Sequence, residues 1–125
     1  MTKIETNRAP GAIGPYSQGM VSGALVFTSG QIPLDPATGA IVGETIEAQS
    51  EQALRNLQAV LEAGGASLGT VVKTTCFLSD MGHFAAFNGV YAKFFTGVCP
   101  ARACVAVKAL PKGVLVEIEA IAEML

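Results

Sequence analysis

The chain has 125 residues, of which 50% are hydrophobic and 14% are charged, and its formal net charge is −2. This length and apolar content predict a single folded domain over residues 1–125 and exclude an intrinsically disordered chain. The slightly acidic balance disfavours DNA, RNA and anionic membranes as partners, and we expect no membrane span because no apolar run is long enough.

The first third of the chain predicts three short strands and a loop. The segment GPYSQGMVSGALVFTSGQIPLD predicts a strand pair that turns at Ser22-Gly23, followed by a third short extended piece. Residues 35–43 are rich in turn-forming residues and predict a loop.

Helical periodicity begins at Thr45 and ends at Gly64-Gly65. One face of this predicted helix is apolar and comprises Ile46, Ala53, Leu54, Leu57, Val60 and Leu61. The β-branched run TVVKTTCFLSD predicts a strand. Asp80 then opens a second amphipathic helix, on which aromatic residues recur at three- and four-residue steps: Phe84, Phe87, Tyr91 and Phe94.

The C-terminal tail predicts a β-hairpin around residues 110–113, so the expected order is βββαβαββ. This is an α+β fold in which two helices cover one face of a mixed sheet. Alternation along the hairpin places small apolar residues on the face toward the helices, among them Ala101, Ala103 and Val105. The other face carries Arg102 and Glu117. It is too apolar for open solvent and too charged for a core, which predicts cover by another subunit.

Cysteine and histidine usage limits the chemistry that the chain can perform. Cys76, Cys99 and Cys104 are an odd number without metal-type spacing, which favours a reducing, cytoplasmic location, with an organelle as the alternative. Because His83 is the only histidine, a zinc site or a Ser-His-Asp triad has little to build on. We expect His83 itself in a surface loop.

Four blocks along the chain resemble the reactive intermediate deaminase A (RidA) family, the YjgF-like imine deaminases. These blocks are IGPYSQG, FTSGQIP, FNGVYAKFF and PARACVAVKALPKGVLVEIEAIA, and together they span nearly the whole sequence. The resemblance implies a homotrimer of chorismate-mutase-like subunits with sites in the clefts between neighbours. It also implies hydrolysis of 2-imino acids, or of the enamines 2-aminoacrylate and 2-aminocrotonate, to 2-oxo acids and ammonia, with no cofactor or metal.

By matched position, the resemblance implies a site of Tyr16, Ser29, Gly30, Asn88, Arg102, Cys104 and Glu117. Arg102 suits a 2-imino acid because its planar fork can hold the carboxylate through two charge-assisted hydrogen bonds. The alternative for Arg102 is an inter-subunit ion pair with Glu119 or Glu123. Glu117 is expected to position the attacking water and relay a proton, and only its motif position favours it over Glu119. Its alternative role is a solvated carboxylate.

The other matched residues are expected to bind substrate. For Cys104, which lacks a histidine base, we expect the backbone N–H to face the substrate while the sulfur packs. Gly30 would let the backbone approach the ligand and Tyr16 would cap the pocket; their alternatives are an ordinary strand-end glycine and a packed strand residue. Ser29 and Asn88 either contact substrate or satisfy local backbone groups.

The predicted hairpin separates the two catalytic candidates. It places Glu117 opposite Ala106, about four strand positions from Arg102, on the order of 13 Å. A small imino acid spans this distance only through a bulge, a bridging water or a contribution from two different chains.

Two functions from other classes are open at this point. Some members of the family are described as endoribonucleases that inhibit translation, but this sequence has neither a basic stripe nor a histidine pair. A non-catalytic metabolite sensor or chaperone-like trimer would use the same carboxylate cleft without turnover.

Overall fold

The computed structural model describes all 125 residues and contains six strands and two α-helices. The elements are β1 (Thr2–Ile4), β2 (Gly19–Ser22), β3 (Leu25–Thr28), α1 (Ile46–Ala63), β4 (Val71–Leu78), α2 (Phe84–Phe94), β5 (Ala101–Ala106) and β6 (Val116–Glu123). The predicted order βββαβαββ is confirmed.

One of the first three strands was nevertheless predicted at the wrong place. The prediction put it after the strand pair, whereas in the structure it is the N-terminal β1, before the pair. The extended piece after β3 forms two isolated bridges, from Gln31 to Ile118 and from Leu34 to Ile41, and no continuous ladder. Pro33 lies between them and cannot donate a backbone hydrogen bond.

The strands form one open mixed sheet in the order β1-β2-β3-β6-β4-β5. Only β4 and β5 are parallel; the other neighbours are antiparallel. The predicted C-terminal hairpin is therefore wrong, because β5 and β6 lie on either side of β4. The Leu-Pro-Lys-Gly sequence forms a short 3₁₀ turn at Pro111–Gly113 within a longer connection that passes from one side of β4 to the other.

This strand order changes the faces on which the site candidates lie. Arg102 is in register with Thr74 and Cys104 with Cys76, on the side of the sheet that faces the helices. Glu117 is in register with Phe77 on the opposite side. The prediction that Arg102 and Glu117 share one face is thus wrong within a single chain.

The assignment of the small apolar residues of β5 is also wrong. Ala101, Ala103 and Val105 are exposed on the face away from the helices. Alternation also predicts that Val116, Ile118, Ala120, Ala122 and Met124 face the helices. The first four are buried against the helix layer, whereas Met124 lies after the end of β6 and is 42% exposed.

Helix α1 follows its local sequence signals closely. The Thr45 side chain accepts a hydrogen bond from the N–H of Ala48 at the N-terminus. Gly64 ends the helix, and Gly65 has a φ of 88°, a conformation that favours glycine. All six apolar residues of the predicted face are buried in the core. Neither helix has the length and apolar composition that crossing a lipid bilayer requires.

The sheet face opposite the helices is not covered by any element of the chain. Leu25, Phe27 and Val105 on this outer face are 37%, 38% and 45% exposed. Glu117 and Glu119 lie on the same face and are partly exposed. A half-apolar sheet surface of this kind agrees with the expectation that another subunit covers it.

Ser50 on α1 provides a test of core packing. It is fully buried and its hydroxyl has no hydrogen-bond partner. We expect Ser50→Ala to raise the free energy of unfolding by about 1–2 kcal/mol, because an unpaired buried hydroxyl is costly and alanine favours the helix. Chemical denaturation measures the change, with the exposed Ser22→Ala as control. A gain of about 0.5 kcal/mol or less, which helix propensity alone explains, would contradict this account.

Candidate functional site

A cavity of about 610 Å³ brings four of the seven predicted site residues together. Tyr16, Ser29, Gly30 and Glu117 all line it. The rest of its wall comes mainly from the loop before β2, the segment after β3 and the turn before β6. Tyr16 lies in the first of these loops and is about half exposed, so it is not a packed strand residue.

Gln18 holds the loop that carries Tyr16, and sequence reasoning missed it. Its side chain is buried, accepts a hydrogen bond from the N–H of Thr6 at 2.7 Å and donates to three carbonyls of the loop. The feature of the sequence that could have identified Gln18 is a polar residue directly before strand β2. Ser29 contributes to the same loop, since its hydroxyl donates to the carbonyl of Ser17 at 2.5 Å. The Ser29 hydroxyl thus bonds to local backbone.

The Glu117 side chain packs directly against the backbone of Gly30 in the wall of the cavity. A Cβ placed on Gly30 would overlap the Glu117 carboxylate, so glycine is what leaves room for this side chain. Burial, and secondly the charge of Glu119, raises the pKa of the Glu117 carboxyl. Glu119 is not among the residues that line the cavity. Of the two candidate glutamates, the cavity therefore contains Glu117, whose raised pKa suits proton transfer nearer neutral pH.

Arg102, Asn88 and Cys104 form a second group on the helix side of the sheet. The Arg102 Nη1 donates to the Asn88 Oδ1 at 2.7 Å. The guanidinium carbon lies 5.5 Å from the centre of the Phe84 ring and 4.9 Å from that of Tyr91. The three ion pairs of the chain are Lys3–Glu5, Arg8–Glu62 and Arg55–Glu51. Within one chain, Arg102 is consequently bound by an amide and two aromatic rings and not by a carboxylate.

The thiols near Arg102 have the properties of packed groups. Burial raises the pKa of the Cys104 thiol, although the nearby Arg102 charge opposes the shift. Burial also raises the pKa of Cys76, its neighbour on β4, to about 12. A protonated thiol is a poor nucleophile, which agrees with a packing role for the Cys104 sulfur. His83 lies in the short 3₁₀ turn that connects β4 to α2 and is partly exposed, which agrees with the expected position in a surface connection.

The two groups cannot meet within one chain, because the sheet lies between them. Glu117 with the cavity is on one side, and Arg102 with Asn88 is on the other. No cluster of three or more His, Cys, Asp or Glu side chains is arranged to hold a metal ion. One chain therefore contains two separate functional groups. The Arg102 guanidinium is held by an amide and two aromatic rings, and the Glu117 carboxyl, whose pKa is raised, lies in the wall of the cavity.

Comparison with known proteins identifies related chains over nearly the whole length. The family described as endoribonuclease L-PSP matches residues 6–124. A RutC family protein, y4sK, of Sinorhizobium fredii is 56% identical over 118 residues, which cover 94% of each chain. The 2-iminobutanoate/2-iminopropanoate deaminase of Salmonella typhimurium is 53% identical over 122 residues, covering 95% of this chain and 94% of that protein.

Solved structures agree with the fold. The crystal structure of E. coli TdcF with bound serine matches with a TM-score of 0.96 and 48% identity, and the match covers 100% of both chains. The open mixed sheet with two helices is therefore the fold of these proteins, and the resemblance to the RidA and YjgF-like proteins is confirmed.

The contact between Gly30 and Glu117 is testable. The backbone of Gly30 is not in the left-handed region, so Gly30→Ala should fold and displace only the Glu117 side chain. Because the displaced carboxyl loses burial, we expect its pKa to fall toward the ordinary 4.5. A titration followed by carboxyl ¹³C NMR measures the change. Gly11 lines the same cavity, with nothing within 4 Å of an added Cβ, so Gly11→Ala is the control. An unchanged Glu117 titration in Gly30→Ala would refute the contact.

Proposed function

Because the chain belongs to the endoribonuclease L-PSP family, we propose that it is a hydrolytic deaminase of 2-imino acids and their enamine tautomers. The products are 2-oxo acids and ammonia, and the enamines include 2-aminoacrylate and 2-aminocrotonate. The observation that carries the proposal is the presence of two complementary groups in the chain. These are the Arg102 guanidinium, which can bind a carboxylate, and the Glu117 carboxyl, whose pKa is raised. The Salmonella relative is named for this activity, and the TdcF structure holds serine, a small carboxylate ligand.

In the proposed assembly, three chains form a ring and each site lies between two neighbours. One chain supplies the cavity with Tyr16, Ser29, Gly30 and Glu117, and its neighbour supplies Asn88, Arg102 and Cys104. The uncovered sheet face and the separation of the two groups support this arrangement. A heterologous contact of this kind closes into a ring when its rotation allows. The cavity would then be completed by the neighbour's guanidinium.

Binding begins with the carboxylate of the substrate. Arg102 holds it through two parallel charge-assisted hydrogen bonds. Asn88 occupies one edge of the guanidinium, which leaves the remaining donors for the ligand. This orientation places the C2 carbon, and not the carboxylate, toward the Glu117 side of the cleft.

Hydrolysis follows from the position of Glu117. It accepts a proton from water as the water oxygen bonds to C2, and the C=N bond becomes a single bond in a carbinolamine. Glu117 returns this proton to the nitrogen, which gives the neutral carbinolamine with C2–OH and C2–NH2. The hydroxyl proton then passes to the same nitrogen as the C2–N bond breaks, so ammonia leaves while C2=O forms. An enamine first gains a proton at C3 and loses one from nitrogen, which gives the same imine. A carboxyl with a raised pKa is a stronger base than an ordinary one, and this favours the first transfer.

The name of the family supports one alternative, an endoribonuclease. RNA cleavage that follows the protein through purification and survives Arg102→Ala would favour it. A metabolite sensor is the other alternative, and saturable binding of 2-oxobutyrate without imine hydrolysis would favour that. The direct test generates 2-iminopropanoate with an amino-acid oxidase and uses semicarbazide as a competing trap. A deaminase lowers the yield of semicarbazone, whereas either alternative leaves it unchanged.

Replacement of the fork tests the role of Arg102. Arg102→Lys keeps the charge but loses the bidentate geometry. We expect kcat/KM for the imine to fall roughly ten- to a hundredfold, since one charge-assisted hydrogen bond contributes about 1.5–3 kcal/mol. Arg55→Lys is the matched control, because Arg55 also lies over an aromatic ring, that of Phe94, but pairs with Glu51 on the surface. Unchanged turnover in Arg102→Lys would make Arg102 a structural residue.

Mixed assemblies test whether the site lies between chains. Arg102→Ala and Glu117→Ala should each be inactive, and mixing them by co-refolding should restore activity. In a cyclic trimer, equal random mixing restores about a quarter of the wild-type sites, because each mixed trimer has a single intact cleft. Each variant refolded alone is the control, and light scattering reports the mass. A monomer mass, or no recovery in mixtures that light scattering shows to be trimers, would contradict the inter-subunit site.

A further inference from the structure

Arg102 lies on an edge strand, so only one neighbouring strand supports it. β5 pairs with β4 alone, and Thr74 is the residue of β4 in register with Arg102. The remaining support for the side chain comes from α2 above it. Phe84, Asn88 and Tyr91 are spaced by four and three residues, which places them on one face of a helix. All three contact the Arg102 guanidinium.

Tyr91 provides the nearer of the two rings and is itself held from several sides. It is 7% exposed, and its ring centre lies 5.6 Å from that of Phe87 and 4.5 Å from that of Phe95. Its hydroxyl is 2.8 Å from the Thr74 Oγ1, in a hydrogen bond in which either oxygen can be the donor. Thr74 is fully buried. The residue that pairs with Arg102 along the sheet is thus also the one that binds the ring beneath its guanidinium.

The hydroxyl of Tyr91 has no other polar partner in the chain. A phenylalanine would fill nearly the same space, so packing alone does not account for a tyrosine at this position. The hydrogen bond links α2 to β4 and fixes the ring relative to the strand beside Arg102. A tyrosine hydroxyl is protonated at neutral pH, and burial raises the pKa of Tyr91 further, so the group remains able to form this hydrogen bond.

We propose that the Thr74–Tyr91 hydrogen bond is a positioning device for Arg102. It holds the aromatic ring in one place, and the ring sets the plane in which the guanidinium fork is presented. Asn88 fixes the rotation of the fork within that plane through its hydrogen bond. Thr74 and Tyr91 are positioning residues that act through Arg102. The inference that these residues orient Arg102 depends on the geometry alone. The further statement that Arg102 binds the carboxylate of a ligand rests on the proposed function.

The test removes this hydrogen bond from either side. Tyr91→Phe and Thr74→Val both delete it, whereas Thr74→Ser keeps the hydroxyl. The first readout is the Arg102 Nε–H resonance in ¹H–¹⁵N spectra, assigned by its loss in Arg102→Lys, because the Tyr91 and Phe84 rings shift it. We expect the resonance to move in both deletion variants and to stay near its wild-type position in Thr74→Ser.

The second readout is binding of 2-oxobutyrate by calorimetry. Loss of one buried hydrogen bond behind the ligand should weaken binding roughly two- to tenfold in both deletion variants. The double variant should bind about as weakly as Thr74→Val alone, since both changes remove the Thr74–Tyr91 bond and Thr74→Val also removes the weak contact from the Cys76 thiol. Thr28→Val is the matched control for folding. It removes a buried threonine hydrogen bond to the N–H of Ala120 on the same sheet face and should leave the Arg102 resonance unmoved.

The outcomes separate this inference from the proposed function. An Arg102 resonance that does not move in Tyr91→Phe and Thr74→Val overturns the positioning role, whatever the protein binds. A resonance that moves equally in Thr28→Val also overturns it, because the effect then reflects general loosening. A specific shift without 2-oxobutyrate binding by the wild-type protein supports the positioning role and rejects the proposed ligand.

Discussion

The parallel pairing of β5 with β4 is the constraint on which the rest of the candidate site depends. Two consecutive parallel strands need a crossover connection, and α2 supplies it. The helix therefore lies over the same side of β5 that carries Arg102. This places an amide and two aromatic rings around the guanidinium. With β5 as a hairpin partner of β6 instead, no helix would be required above Arg102, and it would share a face with Glu117.

The sequence predicts those parts of the fold that depend on local signals. Thr45, Gly64 and the apolar face of α1 are recognisable because a cap, a stop and a period of 3.6 residues act over short distances. The choice of strand partner is different, since it depends on residues far apart in the chain. The Pro-Lys-Gly turn resembles a hairpin turn, and nothing local indicates that β4 lies between the strands on either side of it.

The same limit applies to the candidate site. Motif position selected the candidate residues, and in the structure they lie in two groups. Strand alternation alone could not predict which candidate belongs to which group. Alternation assigns residues of one strand to two faces but does not relate the faces of two strands across an irregular connection. Tyr91 was recognised only as part of an apolar helix face. Its polar role follows from Thr74, which lies on another strand and becomes a neighbour only in the folded chain.

Keeping the two charged groups on opposite faces has a chemical consequence. If Arg102 and Glu117 lay side by side in one chain, the guanidinium would form an ion pair with Glu117 and lower its pKa. The observed separation instead leaves the pKa of Glu117 raised by burial and by Glu119, and leaves Arg102 with a neutral partner in Asn88. Under the proposed assembly, the two groups approach each other only across a cleft wide enough for a ligand. A carboxylate held by Arg102 then fills the position of the missing ion pair. In this proposal Glu117 remains free to exchange a proton, because Arg102 binds the carboxylate of the ligand and not that of Glu117.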